Sequence, residues 1–317
     1  MILTLTPNPS VDRTLFVPVL TVGDITRSDR ARSEPSGKGV NVSLALAGHG
    51  HSTRAVFPAG GYPGLQIQDM LRRAGVDHVA VPIAGDVRSN ISVVEPWGAV
   101  TKINEPGPVL TLEETERIFQ TTCAHLGEAD WLAGCGSLPD GMPEDLYARL
   151  VDVCRERGVS FAIDTWGDPL HKALTHAPDL VAPNAHELAD AVGTSIFTFG
   201  DALDGAEILR ERGARAVLAS LGPDGAVLVD DTGATHGESV VESVVSAVGA
   251  GDALLAGFLS VGTIGLEALT TALQWAGAAV QHEGTISSAR HSSRAVVHPR
   301  IDRERPLIEP VILPVTP

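Results

Sequence analysis

Val248-Gly249-Ala250-Gly251-Asp252-Ala253-Leu254-Leu255-Ala256-Gly257-Phe258 is the stretch around which the rest of the chain can be read. Two glycines and an alanine lead to a single carboxylate, and an apolar run rich in small residues follows. Ala253, Ala256 and Gly257 suit a helix packed closely against its neighbours. A glycine-rich turn entering a helix leaves several backbone N–H groups unpaired, with the positive end of the helix dipole behind them. Such a place binds anions, phosphate above all. An acid there repels its own ligand, unless its task is to take a proton from a hydroxyl that attacks the phosphate. Asp252 equally suits a plain N-cap, for which aspartate is a favoured residue. Taken alone, the stretch leaves both readings open.

Composition narrows the choice. The chain has 317 residues, 23 Lys plus Arg against 39 Asp plus Glu, and a net charge of −16. So acidic a chain disfavours nonspecific nucleic-acid binding and anionic membranes. It also gives weight to isolated cations beside glycines, which must outweigh a repulsive background to hold a phosphate compound. Three cysteines, Cys123, Cys135 and Cys154, form no CxxC pair and fit small buried hydrophobes in a reducing compartment. No basic leader opens the sequence, and no apolar run reaches the roughly 18 residues of a membrane span. A cytoplasmic protein that binds neither nucleic acid nor membrane is expected.

Apolar runs and helical patterns alternate along most of the chain. Strands are expected at 2–6, 54–59, 78–82, 131–134, 159–164, 180–182 and 216–220. Helices are expected at 40–48, 64–74, 112–126, 143–157, 202–212, 252–261 and 266–283. This alternation predicts an α/β fold with a mostly parallel sheet covered on both faces, and ligands at the carboxyl ends of its strands. Segments 221–231 and 235–245 read as antiparallel additions. Segments 13–17 with 26–33, and 88–95 with 99–104, are too polar for a central sheet and read as two strand pairs projecting from the body. One domain over 1–300 is expected, with lid segments at about 10–35 and 88–104. Pro306, Pro310, Pro314 and Pro317 make 301–317 an extended or disordered tail.

Several further stretches carry chemistry. In Ser36-Gly37-Lys38-Gly39-Val40-Asn41 an ammonium and free N–H groups meet where a helix begins, without the GxxxxGK[ST] spacing of a Walker A loop. Asn41 is a polar amide just inside an apolar helix and suits a hydroxyl ligand. Asp12 follows the first strand and can accept bonds from sugar hydroxyls, or cap its own turn. Arg88 and Asn90 enter a projecting strand, and Ser137 follows an apolar one. Asn184 and Glu187 lie one helical turn apart, and Glu187 can hold Mg²⁺ through water or simply be a helix-surface residue. His49 and His51 are the closest histidine pair and lack partners for a metal site. Neither a GxSxG elbow nor a strict GxGxxG is present, so a nucleophile elbow is not indicated and dinucleotide binding is weakened.

Together these stretches resemble the ribokinase-like sugar kinases of the PfkB family, from the N-terminus to about His298. Residues 248–258 look like the family's GAGD signature, 36–42 its glycine-rich substrate motif, and 183–187 its NxxE magnesium motif. Ser220-Leu221-Gly222-Pro223-Asp224-Gly225 looks like its nucleotide-binding turn. Thr6 to Asp12, the Gly-Lys-Gly segment and Gly136-Ser137-Leu138-Pro139 are most similar to kinases of phosphorylated ketohexoses. The resemblance implies a three-layer αβα sandwich with a small projecting β-sheet lid that can also pair two copies of the chain. It implies ATP and Mg²⁺, with fructose 1-phosphate as substrate or, alternatively, tagatose 6-phosphate or fructose 6-phosphate.

The resemblance also implies residue roles. Asp252 acts as base, and the N–H groups of Gly249, Ala250 and Gly251 stabilise the transferring group. Lys38 and Arg88 hold the phosphate already on the sugar. Asp12 and Asn41 read its hydroxyls, with Gly37, Gly39, Asn90 and Ser137 beside them. Asn184, Ser220, Gly222 and Gly225 serve the nucleotide, and Glu187 the metal. Ala182, Ala247 and Ser36 depart from the pattern: the first removes a cation near the nucleotide phosphates, the second a hydroxyl near the anion site, and the third, in place of a glycine, is a mild change. A sugar-phosphate sensor on the same fold is the reading of another class, and the Asp252 motif argues against it.

Overall fold

The computed structural model describes residues 1–282, 284, 293–298 and 300–313. The first third comprises β1 (Ile2–Leu5), β2 (Ser10–Phe16), β3 (Arg30–Ser36), α1 (Lys38–Gly48), β4 (Thr53–Ala59), α2 (Gly61–Arg73), β5 (Asp77–Pro82), β6 (Arg88–Val94) and β7 (Val100–Asn104). The middle comprises α3 (Leu112–Ala124), β8 (Trp131–Cys135), α4 (Leu146–Arg157), β9 (Ser160–Asp164), α5 (Gly167–Leu174), β10 (Leu180–Val181), α6 (Ala185–Val192), β11 (Ile196–Thr198) and α7 (Phe199–Glu211). The last part comprises β12 (Val217–Ser220), β13 (Ala226–Asp230), β14 (Gly233–Val240), α8 (Ala250–Ser260), α9 (Leu266–Ala279), β15 (Arg294–His298) and β16 (Pro306–Val311).

Ten strands form one sheet in the order β15-β14-β13-β12-β10-β9-β8-β1-β4-β5. The seven strands from β12 to β5 run parallel, and β13, β14 and β15 extend the sheet antiparallel. Strand side chains alternate between faces, and two separate cores record this. Leu3, Leu5, Leu132, Phe161 and Ile163 pack with apolar residues of α3 to α7. Ile2, Trp131, Ala133 and Ala162 face the other way, onto α1, α8 and α9. Phe57 joins α2 and the outer part of α1. The expected α/β sandwich is present, helices on both faces of a mostly parallel sheet.

The small sheet is one unit rather than two hairpins. Its order is β3-β2-β6-β7, with β2 and β6 pairing parallel from Ser10↔Arg88 to Phe16↔Val94. This register sets Asp12 beside Asn90, so residues 78 apart share one face. Strand β3 starts and ends later than the expected 26–33, and it includes Pro35, which an edge strand tolerates.

Other boundaries moved for local reasons. Helix α7 begins at Phe199 rather than 202, because Thr198 and Asp201 form a reciprocal capping box. Helix α5 was not expected, and of α6 only the turn from Asn184 to Glu187 was, since eight residues give the 3.6-residue pattern barely two turns. The proline-rich tail needs correction: it is extended, but β16 pairs antiparallel with β11 and is part of the body. Its prolines Pro314 and Pro317, and Glu283 at the end of the expected last helix, lie outside the described residues. Among the described residues no helix is long and apolar enough to cross a membrane.

Candidate active site

The carboxyl ends of β1, β8, β9, β10 and β12 lie side by side in the sheet, and the segments leaving them carry most of the polar residues singled out above. At the open front of this edge stands the N-terminus of α8. Gly249 is its N-cap at φ 81°, in the left-handed region that glycine occupies without strain. No side chain caps the helix. Asp252 is therefore not the cap: it sits in the first turn, and its Oδ2 accepts a 2.8 Å bond from Asn41 Nδ2 on the neighbouring α1. A Cβ added at Gly251 would meet nothing within 4 Å, so the start of α8 faces open space. Asp252 is half-buried. Burial pushes its carboxyl up to about 7, helped by the charge of Asp164 and opposed by the Asn41 bond and by Lys38.

Helix α1 begins differently. Gly37 caps it at φ 118°, and a Cβ there would stand 2.6 Å from the Thr6 methyl. At Gly39 a Cβ would stand 2.6 Å from Thr6 Oγ1 and 2.9 Å from the Leu5 carbonyl. Both glycines exist so that this helix can press against the end of β1. Between them Lys38 reaches inward, not toward the lid. Its Nζ lies 2.5 Å from Asp164 Oδ1 and 2.7 Å from Glu187 Oε1, and 5.2 Å from the centre of the Trp166 ring. Burial works against the ammonium, but the two carboxylates outweigh it and hold it charged well above its usual pKa. Burial also raises Asp164 to about 6, with Lys38 pulling down and Glu187 pushing up.

Asp164 is a residue that the sequence reading passed over. Its signal was present: a strand expected at 159–164 ends on an acid, at the carboxyl edge where ligands bind. Lys38, expected to hold the phosphate already on the sugar, instead has its ammonium between two carboxylates, Asp164 and Glu187. Glu187 serves two partners. Its Oε2 accepts from the Asn184 N–H at 2.9 Å, closing a capping box at the start of α6, and its Oε1 takes Lys38.

A second polar group lies where the lid meets β1. Asn90 Nδ2 donates to Asp12 Oδ1 at 2.9 Å and to Ser10 Oγ at 3.1 Å, while Arg88 Nη2 donates to the Asn8 carbonyl at 3.1 Å. Asn8 Nδ2 in turn donates to Ser137 Oγ at 3.2 Å. Buried polar groups are almost always paired, yet Thr6 Oγ1, Asn8 Oδ1, Asn41 Oδ1, Asn90 Oδ1 and Arg88 Nε have no hydrogen-bond partner among the described residues. These five sit on adjoining segments, β1's exit, α1 and β6. A polyhydroxylated or phosphorylated ligand has the chemistry to complete them.

The turn at 220–225 lies beyond Asn184. Ser220 bridges to Asn184, and the Ser220 N–H donates to the Pro183 carbonyl at 3.0 Å. Gly225, at φ 80°, has the Gly237 carbonyl where a Cβ would go, and Gly222 has φ 59°. The structure thus brings the α8 start, the Lys38 carboxylate pair and the lid group to one sheet edge, with this turn alongside. The histidine pair stays apart from it: His49 stacks on Trp275 with ring centroids 3.7 Å apart.

Known proteins share this fold. Residues 6–292 match the profile described as pfkB family carbohydrate kinase. The chain is 34% identical to 1-phosphofructokinase of Bacillus subtilis (strain 168), over 82% of this chain and 85% of that one. It is also 34% identical to ATP-dependent 6-phosphofructokinase isozyme 2 of Mycobacterium tuberculosis (strain ATCC 25618 / H37Rv), over 84% of this chain and 77% of the other. Among solved structures, phosphofructokinase-2 from Escherichia coli in complex with potassium superposes with a TM-score of 0.84 at 29% identity, covering 90% of this chain and 94% of that one.

Proposed function

The chain belongs to the pfkB family of carbohydrate kinases, and from that premise we propose that it transfers the γ-phosphoryl group of ATP to the 6-hydroxyl of fructose 1-phosphate. One observation carries the reading: a carboxyl raised to about 7 stands in the first turn of a helix whose glycine-lined start is open. As the sugar oxygen attacks the γ-phosphorus, its proton passes to Asp252, the bond to the β–γ bridging oxygen breaks, and ADP departs. The N–H groups of Gly249 and Gly251, with that of Ala250 turned from its 3.3 Å bond to the Ala247 carbonyl, receive the charge spread over the transferring group, the kind of positioned donors on which phosphoryl transfer depends.

Asn41 holds Asp252 in place and, with Asp12, Asn90 and Ser137, offers partners to the sugar's hydroxyls. Arg88, with an unpaired Nε, takes the phosphate already on the sugar. Asn184, Ser220, Gly222 and Gly225 border the nucleotide. Asp164 and Glu187 are hard oxygen donors converging on a cation, the Lys38 ammonium, so the donor set fits Mg²⁺. When bound, Mg²⁺ neutralises phosphate charge; these two carboxylates would hold it through water, with Lys38 balancing them.

The decisive assay is coupled ADP release with fructose 1-phosphate, fructose 6-phosphate and tagatose 6-phosphate, each with and without Mg²⁺. Highest kcat/KM on fructose 1-phosphate with Mg²⁺ supports the reading, and no ADP from any of them overturns it in favour of a sensor. The Mycobacterium relative, named a 6-phosphofructokinase, makes fructose 6-phosphate the second candidate. Strand β7 is exposed along its length, with Val100 and Ile103 outward, and is read as the surface through which two lids pair. Sedimentation of an Ile103→Glu variant as a monomer, beside a dimeric parent, tests that pairing.

A further inference from the structure

We propose that Arg305 and strand β16 hold the 220–225 turn in position from behind, and so set affinity for the nucleotide without touching it. The inference rests on the kinase reading, in which that turn borders the nucleotide. Its basis is Asp224, whose side chain has 0% exposure. Asp224 Oδ1 accepts from Arg305 Nη2 at 3.1 Å, and Oδ2 accepts from the Ile308 N–H at 2.6 Å. The Asp224 backbone carbonyl takes a third bond, 2.8 Å from His236 Nε2 on β14. Glu309, also on β16, places Oε2 3.3 Å from where a Cβ of Gly222 would stand. The turn is therefore gripped at its acid and crowded at its first glycine by one segment near the end of the chain.

Arg305 is itself held. Its Nη1 donates to Glu238 Oε1 at 2.8 Å, and its guanidinium lies 4.8 Å from the centre of the Phe199 ring. The Phe199 N–H donates to the Arg305 carbonyl at 3.0 Å, which ties this residue to the start of α7. His236, Glu238 and His298 bring ligand atoms within 4.8 Å of one another, but His236 and Glu238 are already committed to Asp224 and Arg305, so the cluster serves this support.

A buried carboxylate is a demanding way to anchor a tail, since an apolar side chain would fill the space without desolvating a charge. What the charged bonds add is direction: they fix the turn's orientation, which apolar packing leaves looser. The far side of the turn is joined through Ser220 to Asn184. Loosening Asp224 thus disturbs the nucleotide side of the site, while Asp12, Arg88 and Asn90 belong to the lid sheet and keep their own supports.

The test uses the full chain, steady-state kinetics with ATP and fructose 1-phosphate, and direct binding of a fluorescent ATP analogue. Arg305→Met is expected to raise the KM for ATP and the analogue's Kd about tenfold, with the sugar-phosphate KM and kcat held within about twofold. Arg305→Lys keeps a cation and is expected to recover part of the loss. Combined with Asp224→Asn, the Arg305→Met effect is expected to be less than additive. Unchanged nucleotide affinity in Arg305→Met, or an equal rise in both KM values, would overturn the proposal. Should Arg305→Met fail to fold, Arg305→Lys decides: a rise confined to nucleotide affinity supports the support role, and no rise refutes it. Failure of the parent protein to turn over any ketohexose phosphate defeats the kinase reading, whereas normal turnover with nucleotide affinity indifferent to Arg305 defeats this inference alone.

Discussion

Two helices of this molecule begin with glycines flanking one residue, and they do so for opposite reasons. At α1, Gly37 and Gly39 leave room for the end of β1, so the helix start is closed by protein. At α8, Gly249 supplies a left-handed turn, and Gly251 faces empty space, so the helix start is open. The residue types beside them are matched to this. The closed start carries a cation that turns inward to two carboxylates, while the open start carries an acid whose charge is suppressed by burial and by its neighbour Asp164. Gly-x-Gly before a helix is thus one local pattern in two settings, close packing in one place and an open helix start in the other.

The sharpest way to break this contrast is to neutralise the acid. Asp252→Asn keeps shape and removes the base, and kcat is expected to fall about 10²–10⁴-fold, with ATP-analogue binding retained. Steady-state turnover near the parent level would remove Asp252 from the role given to it. The same variant has a second signature. A carboxyl raised in the folded state makes that state bind more protons than the unfolded chain between the two pKa values, so stability falls as pH rises from about 4 to about 7. Asp252→Asn is therefore expected to melt a few degrees above the parent at pH 8, with a smaller gap at pH 5. Calorimetry at both pH values reads this, and a gap equal at both contradicts it.

Next come the glycines themselves. Gly251→Ala adds a methyl to open space in a helix, so melting should hold or improve, while kcat falls about tenfold or more as the methyl meets the transferring group. Gly39→Ala adds the same methyl against Thr6 and the Leu5 carbonyl, and is expected to destabilise by about 1–3 kcal/mol despite alanine's better helix propensity. Denaturant unfolding and turnover on both variants separate the two uses, and a reversed pattern would show that access and packing have been misassigned.

The smallest effect lies in the pH profile. A base must be deprotonated to act, so kcat/KM is expected to climb through about pH 7 and level off above it. The Asn41 bond favours the charged form of Asp252, so Asn41→Leu is expected to move that limb to higher pH. A limb that stays in place, or moves down, would mean that Asn41 does not tune the acid.

The sheet was legible in the sequence because parallel strands covered on both faces read as continuous apolar runs, as 131–134 and 216–220 do. The short helices α5 and α6 gave too little periodicity, and β15 and β16 were hidden among polar and proline residues whose partners lie far away in sequence. For the site, residues on one local motif were readable: Asp252 with its glycines, and Asn184 with Glu187. Relations across elements were not. Nothing local to Lys38 announces that Asp164, 126 residues away, is its partner, or that β2 and β6 pair so that Asp12 meets Asn90. Arg305 and Asp224 are a further case, an acid in a turn and a cation in the tail, each unremarked until the chain brings them together.

The central claim is that Asp252 is poised to accept a proton at neutral pH. Carbon-13 NMR of the aspartate side-chain carboxyls, with the Asp252 resonance identified by its loss in Asp252→Asn, measures this directly. The account predicts a titration midpoint near 7. A midpoint near 4, the ordinary value for an aspartate in water, would contradict it.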